Sequence, residues 1–297
     1  MNLCYQYSRL LIVSVDKFRQ VDAMKPQDTK FLFTDLDGTL LDSNKHISRQ
    51  DLDSINRMID AGHKFAVVTG RPLPSALALC EEYDFIREGF YIASYNGGLI
   101  YDPYNKQTVL ELSVPFDYVT PMFAAAKEAG VHIHTYTDTH VVSERQTDEF
   151  DYYLKHIKMP GLIVPNILDA LDKPPIKMIV MSLKGREVLN AFRDRMRPFT
   201  DGKLTGIFSN DKLLEYAVPE NSKGNAVKML CAHFDIPIEN AIACGDEEND
   251  IAMIIDAGVG VVMKNGNPEV KAYADYITEH TNDEDPMTEV IGKFIMI

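Results

Sequence analysis

The 297-residue sequence lacks any stretch approaching about 18 consecutive apolar residues, so no membrane-spanning helix is expected and no membrane partner is assigned. Cysteine is scarce: Cys4, Cys80, Cys231 and Cys244 are scattered, with no C-x-x-C pair. That spacing argues against a disulfide framework or a zinc site and suits reduced thiols in a cytoplasmic protein. Basic charge is also short, with 30 Lys and Arg against 44 Asp and Glu and a net charge of −14. A nucleic-acid surface needs clustered Lys and Arg, so nucleic acid is not an expected partner. Small anionic molecules remain compatible, because a local cation inverts the field inside one pocket. There is no internal repeat or low-complexity tract. The run "LLIVSV" from Leu10 to Val15 is too short for the apolar region of a secretory signal. Residues 1–25 therefore read as an extension outside the fold.

What is present is a set of short apolar runs: "KFLFT", "KFAVVT", "YIAS", "KMIVMS", "LLEYAV", "NAIACG" and "GVGVVM". Near-continuous apolarity suits strands covered on both faces. Helical patterns lie between them. "SRQDLDSINRMIDAG" offers Ser48 as an N-cap, Leu52, Ile55 and Ile59 at helical spacing, and Gly62 as a stop. "KGNAVKMLCAHF" and "NDIAMIIDAG" follow the same logic. Strands alternating with helices predict a parallel α/β sheet. From about residue 100 to 210 the pattern changes to "HIHTYTDTHVVS", a separate strand and several prolines. The expected organisation is an α/β core over 26–100 and 211–297, interrupted by an inserted α+β module over 101–210.

Polar residues follow four of the apolar runs. Asp35 and Asp37 follow "FLF", Thr69, Gly70 and Arg71 follow "FAVV", Lys223 opens a helix in "NSKGN", and Asp246, Asn249 and Asp250 follow "AIAC". Each fragment alone is ordinary turn or helix-start chemistry. Together they fall at the carboxyl ends of strands, where open α/β sheets bind ligands. The set suits phosphoryl transfer. A carboxylate attacks phosphorus and splits hydrolysis into two displacements. Asp35 and Asp246 offer hard oxygens to Mg²⁺, while a lysine and a threonine hold phosphoryl oxygens. Asp37 is placed to move a proton on the leaving alcohol and on water, a task that a crowded acidic site favours by keeping a carboxyl protonated. Gly38 allows the sharp turn behind it.

The order "DLDGT", "VVTGR", "SKG", "GDEENDIAM" resembles the haloacid dehalogenase superfamily, and within it the Cof-type phosphatases of subclass IIB. The resemblance runs from about Lys30 to the C-terminus and includes "YIASYNGGLIYD", "VVMKNGNPEVKAYADYIT" and "TNDEDPMTEVI", the last with Pro286 where glycine is expected. It implies a Rossmann-like core with a central parallel sheet and an inserted α+β cap. It also implies Asp35 as nucleophile, Asp37 as general acid/base, and Thr69, Gly70, Lys223 and Asn249 at the phosphoryl group. Mg²⁺ would be held by Asp35, the main-chain carbonyl of Asp37, and Asp246, with Asp250 close behind. Asn96 and Arg71 would lie at the pocket rim. The gap of about 150 residues between Thr69 and Lys223 leaves room for the cap, which would close over a small phosphorylated metabolite. In the cap, His132 and His134 fall on one face of a predicted strand and are candidates for the cleft. A magnesium-dependent phosphomonoesterase acting on sugar phosphates or phosphorylated cofactors is the leading expectation. A phosphomutase of the same fold and a phospho-accepting signalling domain are the alternatives.

Overall fold

Side-chain alternation along the first apolar run decides where the core lies. In β1 (Phe31–Thr34), Phe31 and Phe33 pack to one side and Leu32 to the other, and all three are fully buried. The computed structural model describes residues 25–157 and 159–296. Lys25 apart, the expected extension over 1–25 lies outside the described residues, as does Cys4.

Beyond β1 the chain forms β2 (Lys64–Val68), β3 (Phe90–Ser94), β4 (Leu99–Asp102) and β5 (Gln107–Glu111). It continues through β6 (His132–Tyr136), β7 (Val141–Ser143), β8 (Gly161–Ile163), β9 (Met178–Met181), β10 (Thr205–Asn210) and β11 (Leu213–Ala217). It ends with β12 (Ala241–Gly245), β13 (Val259–Val262) and β14 (Tyr276–Ile277). The helices are α1 (Arg49–Asp60), α2 (Leu73–Glu82), α3 (Phe116–Ala129), α4 (Asp148–His156), α5 (Arg186–Thr200), α6 (Lys223–His233), α7 (Ile251–Asp256), α8 (Pro268–Lys271) and α9 (Pro286–Phe294).

An eight-stranded sheet runs β14-β13-β12-β1-β2-β3-β4-β5, parallel from β14 to β3 and antiparallel at β4 and β5. Helices α1, α2 and α9 cover one face, with Ile55, Met58, Ala76, Cys80, Met287 and Val290 in the same cluster as Leu32. Helices α6 and α7 cover the other, where Val227, Leu230 and Met253 meet Phe31 and Phe33. Helix α1 starts as its sequence predicts, with Ser48 Oγ accepting from Asp51 N at 3.1 Å. Pro286 opens α9, a position where its missing N–H costs nothing.

The second sheet runs β10-β11-β9-β6-β7-β8 and is antiparallel except for the β7–β8 pair. One face packs on α3 and α5, the other on α4 and on Tyr95 and Leu99 of the core. The strand pairing moves both expected boundaries. Residues 101–111 belong to the larger sheet, because β4 and β5 form an antiparallel extension of it. Strand β11 belongs to the cap sheet, where it pairs with β9 and β10. The insertion, defined by its sheet, therefore lies between β5 and α6.

Candidate active site

Parallel pairing brings the predicted residues to one sheet edge. Thr34 in β1 sits opposite Cys244 in β12, and Asp35 N donates to Cys244 O at 3.0 Å. Asp35, one residue beyond Thr34, and Asp246, two beyond Cys244, leave these adjacent strands at the same end. Thr69 leaves β2 beside them, and Asn96 follows β3 at that end.

Lys223 is the first residue of α6, whose N-cap is Ser222. A cation at a helix N-terminus opposes the helix dipole, so it needs acidic partners. It has two: Lys223 Nζ lies 2.5 Å from Asp35 Oδ1 and 2.6 Å from Asp250 Oδ1. All three side chains are buried. Burial works against the lysine charge, but Asp250 and Asp35 outweigh it and hold the ammonium protonated. Asp35 is pushed up to about 6, chiefly by burial and against the pull of Lys223, so it is anionic at neutral pH. Asp250 spends its other oxygen on the main chain, accepting from Asp246 N at 2.9 Å and Glu247 N at 3.0 Å. It thereby fixes the loop that carries Asp246.

Asp37 has two cationic partners outside the Lys223 cluster. Its side chain is bound by Arg71, which donates from Nε and a terminal nitrogen, each at 2.8 Å. Lys45 adds a third bond at 2.8 Å. Burial works against the carboxylate charge, but the bonds and charges of Arg71 and Lys45 outweigh it, and the carboxyl is held below its ordinary range. The expected bias of the acidic site toward a protonated Asp37 is therefore reversed here by the guanidinium. Lys45, in a left-handed conformation at φ 66°, is a neighbour that no strand-end pattern marks.

The profile of the haloacid dehalogenase-like hydrolases matches residues 32–291, most of the chain. The chain belongs to that family. A crystal structure of a haloacid dehalogenase-like hydrolase from Bacteroides thetaiotaomicron superposes with a TM-score of 0.81 at 30% identity, covering 89% of this chain and 99% of that one. The Bacillus subtilis protein YxeH is 29% identical over 255 residues, 86% of this chain and 94% of its own. The B. subtilis 5-amino-6-(5-phospho-D-ribitylamino)uracil phosphatase YitU is 26% identical over 281 residues, 89% of this chain and 96% of its own. Within the family this chain is a Cof-type phosphoric monoester hydrolase of subclass IIB, with a Rossmann-like core and a cap.

A haloacid dehalogenase-like hydrolase generally uses a divalent metal, and the donors present here fit one. Asp35, Asp246 and Asp250 bring carboxylate oxygens within 4.8 Å of one another. Asp250 is engaged by Lys223 and two main-chain N–H groups, which leaves Asp35 and Asp246 to face a cation. Burial, reinforced by Asp35 and Asp250, pushes Asp246 up to about 8. An all-oxygen cluster so short of positive charge suits a hard ion such as Mg²⁺. Thr39 Oγ1 donates to Asp246 Oδ1 at 2.7 Å and orients it. Gly38, at φ +86°, has no room for a side chain: a Cβ there would lie 2.4 Å from Asp246 Oδ2.

The hydrolase's remaining predicted residues divide. Asn96, left-handed at φ 61°, donates from Nδ2 to Glu215 Oε2 in β11 at 2.8 Å. It accepts from Asn249 Nδ2 at 3.4 Å, and a side chain on Gly70 would meet its Oδ1 at 3.1 Å. Asn96, Asn249 and Gly70 thus form one group at the rim. His132 and His134 do not join it. They are 2% and 0% exposed, because α4 covers the face of β6 that carries them. Their rings stack near Phe150 and Tyr153, and they share a hydrogen bond of 3.1 Å. They belong to the cap interior, not the cleft. Glu215 and Lys177 are the site-side residues that strand-end reasoning misses. Their signal is a lone acid inside "LLEYAV" and a lysine heading "KMIVMS".

Proposed function

We propose that this chain hydrolyses phosphate monoesters of small soluble molecules, sugar phosphates or phosphorylated cofactors, with Mg²⁺ as its cation and Asp35 as the transient phosphoryl carrier. The observation that carries this reading is the cluster of Asp35 and Asp246 at adjacent strand tips with Lys223 at the start of α6, beneath the cap. The relative named a phosphatase of a ribitylamino-uracil phosphate supports a small ester. Three separate buried thiols, Cys80, Cys231 and Cys244, support a reducing, cytoplasmic setting.

In this reading the Asp35 carboxylate forms a bond to phosphorus as the bond to the leaving oxygen breaks. Lys223, Thr69, the Gly70 main chain and Asn249 hold the phosphoryl oxygens. Asp37 gives the leaving oxygen a proton, which it takes up once Arg71 turns from it. It then accepts a proton from water as the water oxygen bonds to phosphorus and the Asp35 carboxylate departs, releasing inorganic phosphate. When bound, Mg²⁺, held by Asp35, Asp246 and the Asp37 carbonyl, supplies positive charge against the phosphoryl oxygens. Arg186 at the start of α5 bonds Glu248 beside the acidic loop at 2.9 Å, a contact that supports a cap closed against bulk water.

The test is phosphate release from a panel of phosphorylated metabolites. Activity should vanish in EDTA, return with Mg²⁺, and be absent in Asp35→Asn. Undiminished turnover in EDTA or in that variant would overturn the proposal.

A further inference from the structure

On the side of the cap sheet that meets the core lies an ion pair with no part in the chemistry above. Lys177, directly before β9, and Glu215, in β11, lie 2.6 Å apart, at 1% and 7% exposure. Lys177 Nζ also donates to the Gly70 carbonyl at 2.8 Å and stands over the rings of Tyr95 and Tyr136. Both bonds to Glu215, from Lys177 and from Asn96, go to Oε2. Oε1 accepts no hydrogen bond from any described residue. The Glu215 side chain as a whole keeps 8% of its surface exposed. One oxygen of this carboxylate is held by two donors, and the other accepts from no described residue.

Its place gives the second oxygen a role. Gly70 follows Thr69, and Asn96 touches both Gly70 and Asn249. Glu215 therefore stands one hydrogen bond beyond the group around the phosphoryl site, on the side from which the cap covers it. An ester's organic part extends toward that side. A nearly buried carboxylate oxygen there rewards a donor and penalises a leaving group that has none. A carboxylate on the substrate would meet like charge with little water to screen it.

Resting on the phosphatase reading of this same site, we infer that Glu215 Oε1 reads the leaving alcohol by accepting a hydrogen bond from its hydroxyl or amine groups. The substrate class is then phosphate esters of polyhydroxy or amino alcohols, and phosphorylated carboxylic acids are disfavoured. Lys177 is a positioning residue: by fixing Oε2 it sets the direction of Oε1.

The experiment compares kcat/KM of the full-length protein with Mg²⁺ on sorbitol 6-phosphate, hexyl phosphate, phosphoglycolate and p-nitrophenyl phosphate. Sorbitol 6-phosphate should exceed both hexyl phosphate and phosphoglycolate by about tenfold to a hundredfold, the scale of a hydrogen bond to a charged group. Glu215→Gln should shrink the sorbitol-to-hexyl ratio by about tenfold or more. Lys177→Met should shrink it too, and Lys177→Arg should restore it. A wild-type ratio near one overturns the inference while leaving the phosphatase reading intact, and it decides even where a variant fails to fold. Equal losses on both esters in Glu215→Gln overturn it as well, since a cap brace alone acts that way. No turnover of any ester, p-nitrophenyl phosphate included, overturns the phosphatase reading instead.

Discussion

Arg71 grips Asp37 in a two-pronged bond, Nε to Oδ2 and a terminal nitrogen to Oδ1, both 2.8 Å long. The planar fork fixes the direction of the carboxylate as well as its charge. It fixes the carboxylate of a residue two positions from Asp35 and holds its pKa down.

Removing that grip should move a pH limb. In Arg71→Ala the Asp37 carboxyl returns toward its ordinary value, since exposed Lys45 alone is well screened. The Asp37-dependent limb of the kcat/KM profile should then shift to higher pH. Asp37→Asn, the control, should lack that limb and turn over about two or more decades more slowly. An unmoved limb in Arg71→Ala would remove Asp37 from the proton-transfer role.

Lys223 is the sole cation bonded to both Asp35 and Asp250 among the described residues, and all three are buried. Lys223→Met leaves two buried carboxylates without their partner, at a cost on the order of 3 kcal/mol. Urea unfolding of the metal-free protein measures it. Adding Asp250→Asn should cost less than the sum of the single variants, because the two residues share one bond. Strict additivity would show that the pair is not coupled.

Gly38→Ala tests the metal cradle. The new methyl would lie 2.4 Å from Asp246 Oδ2, on a backbone at φ +86° that favours glycine. Asp246 must shift, so the Mg²⁺ concentration for half-maximal activity should rise by about tenfold or more. Titration of activity with Mg²⁺ checks this. An unchanged midpoint would place the cation away from Asp246.

The meeting of Asp35, Thr69 and Asp246 was legible because each follows an apolar run, and parallel strands bring such ends together whatever the loops do; Lys223 reaches them from the first turn of α6 instead. The cap was less legible. "LLEYAV" reads as a core strand because its apolarity is nearly continuous, yet β11 is antiparallel and covered on one face by the α3 and α5 layer and on the other by the core. Periodicity put His132 and His134 on one face, as observed, but a strand's own pattern does not say what lies over that face. Thr147, the N-cap of α4, supplies the answer by bonding His132 Nδ1 at 3.0 Å. The orientation of Asp37 was hidden for a related reason. It depends on Arg71 and Lys45, whose side chains meet it only after the chain has folded.

The buried histidines give the cap an acid limit. Burial, which outweighs the opposing pull of Glu149 and is helped by Arg145, lowers His132 from 6.5 to about 4, and burial with the charges of His132 and Lys177 holds His134 well below its ordinary value. A histidine with a depressed folded pKa stays neutral while its unfolded counterpart takes up a proton. Its contribution is therefore present above pH 6.5 and is lost as pH falls through about 4. At pH 5 the loss from His132 comes to about 2 kcal/mol. Asp51 works in the opposite direction: burial raises it to about 6, so it gains stability on acidification. The difference between wild type and His132→Gln cancels Asp51 and isolates the histidine. Glutamine keeps a polar partner for Thr147 and does not titrate, so urea midpoints of the variant should fall less steeply between pH 7 and 4.5, whatever their absolute level. Parallel slopes in the two proteins would mean that His132 takes up its proton in the folded cap as readily as in the unfolded chain.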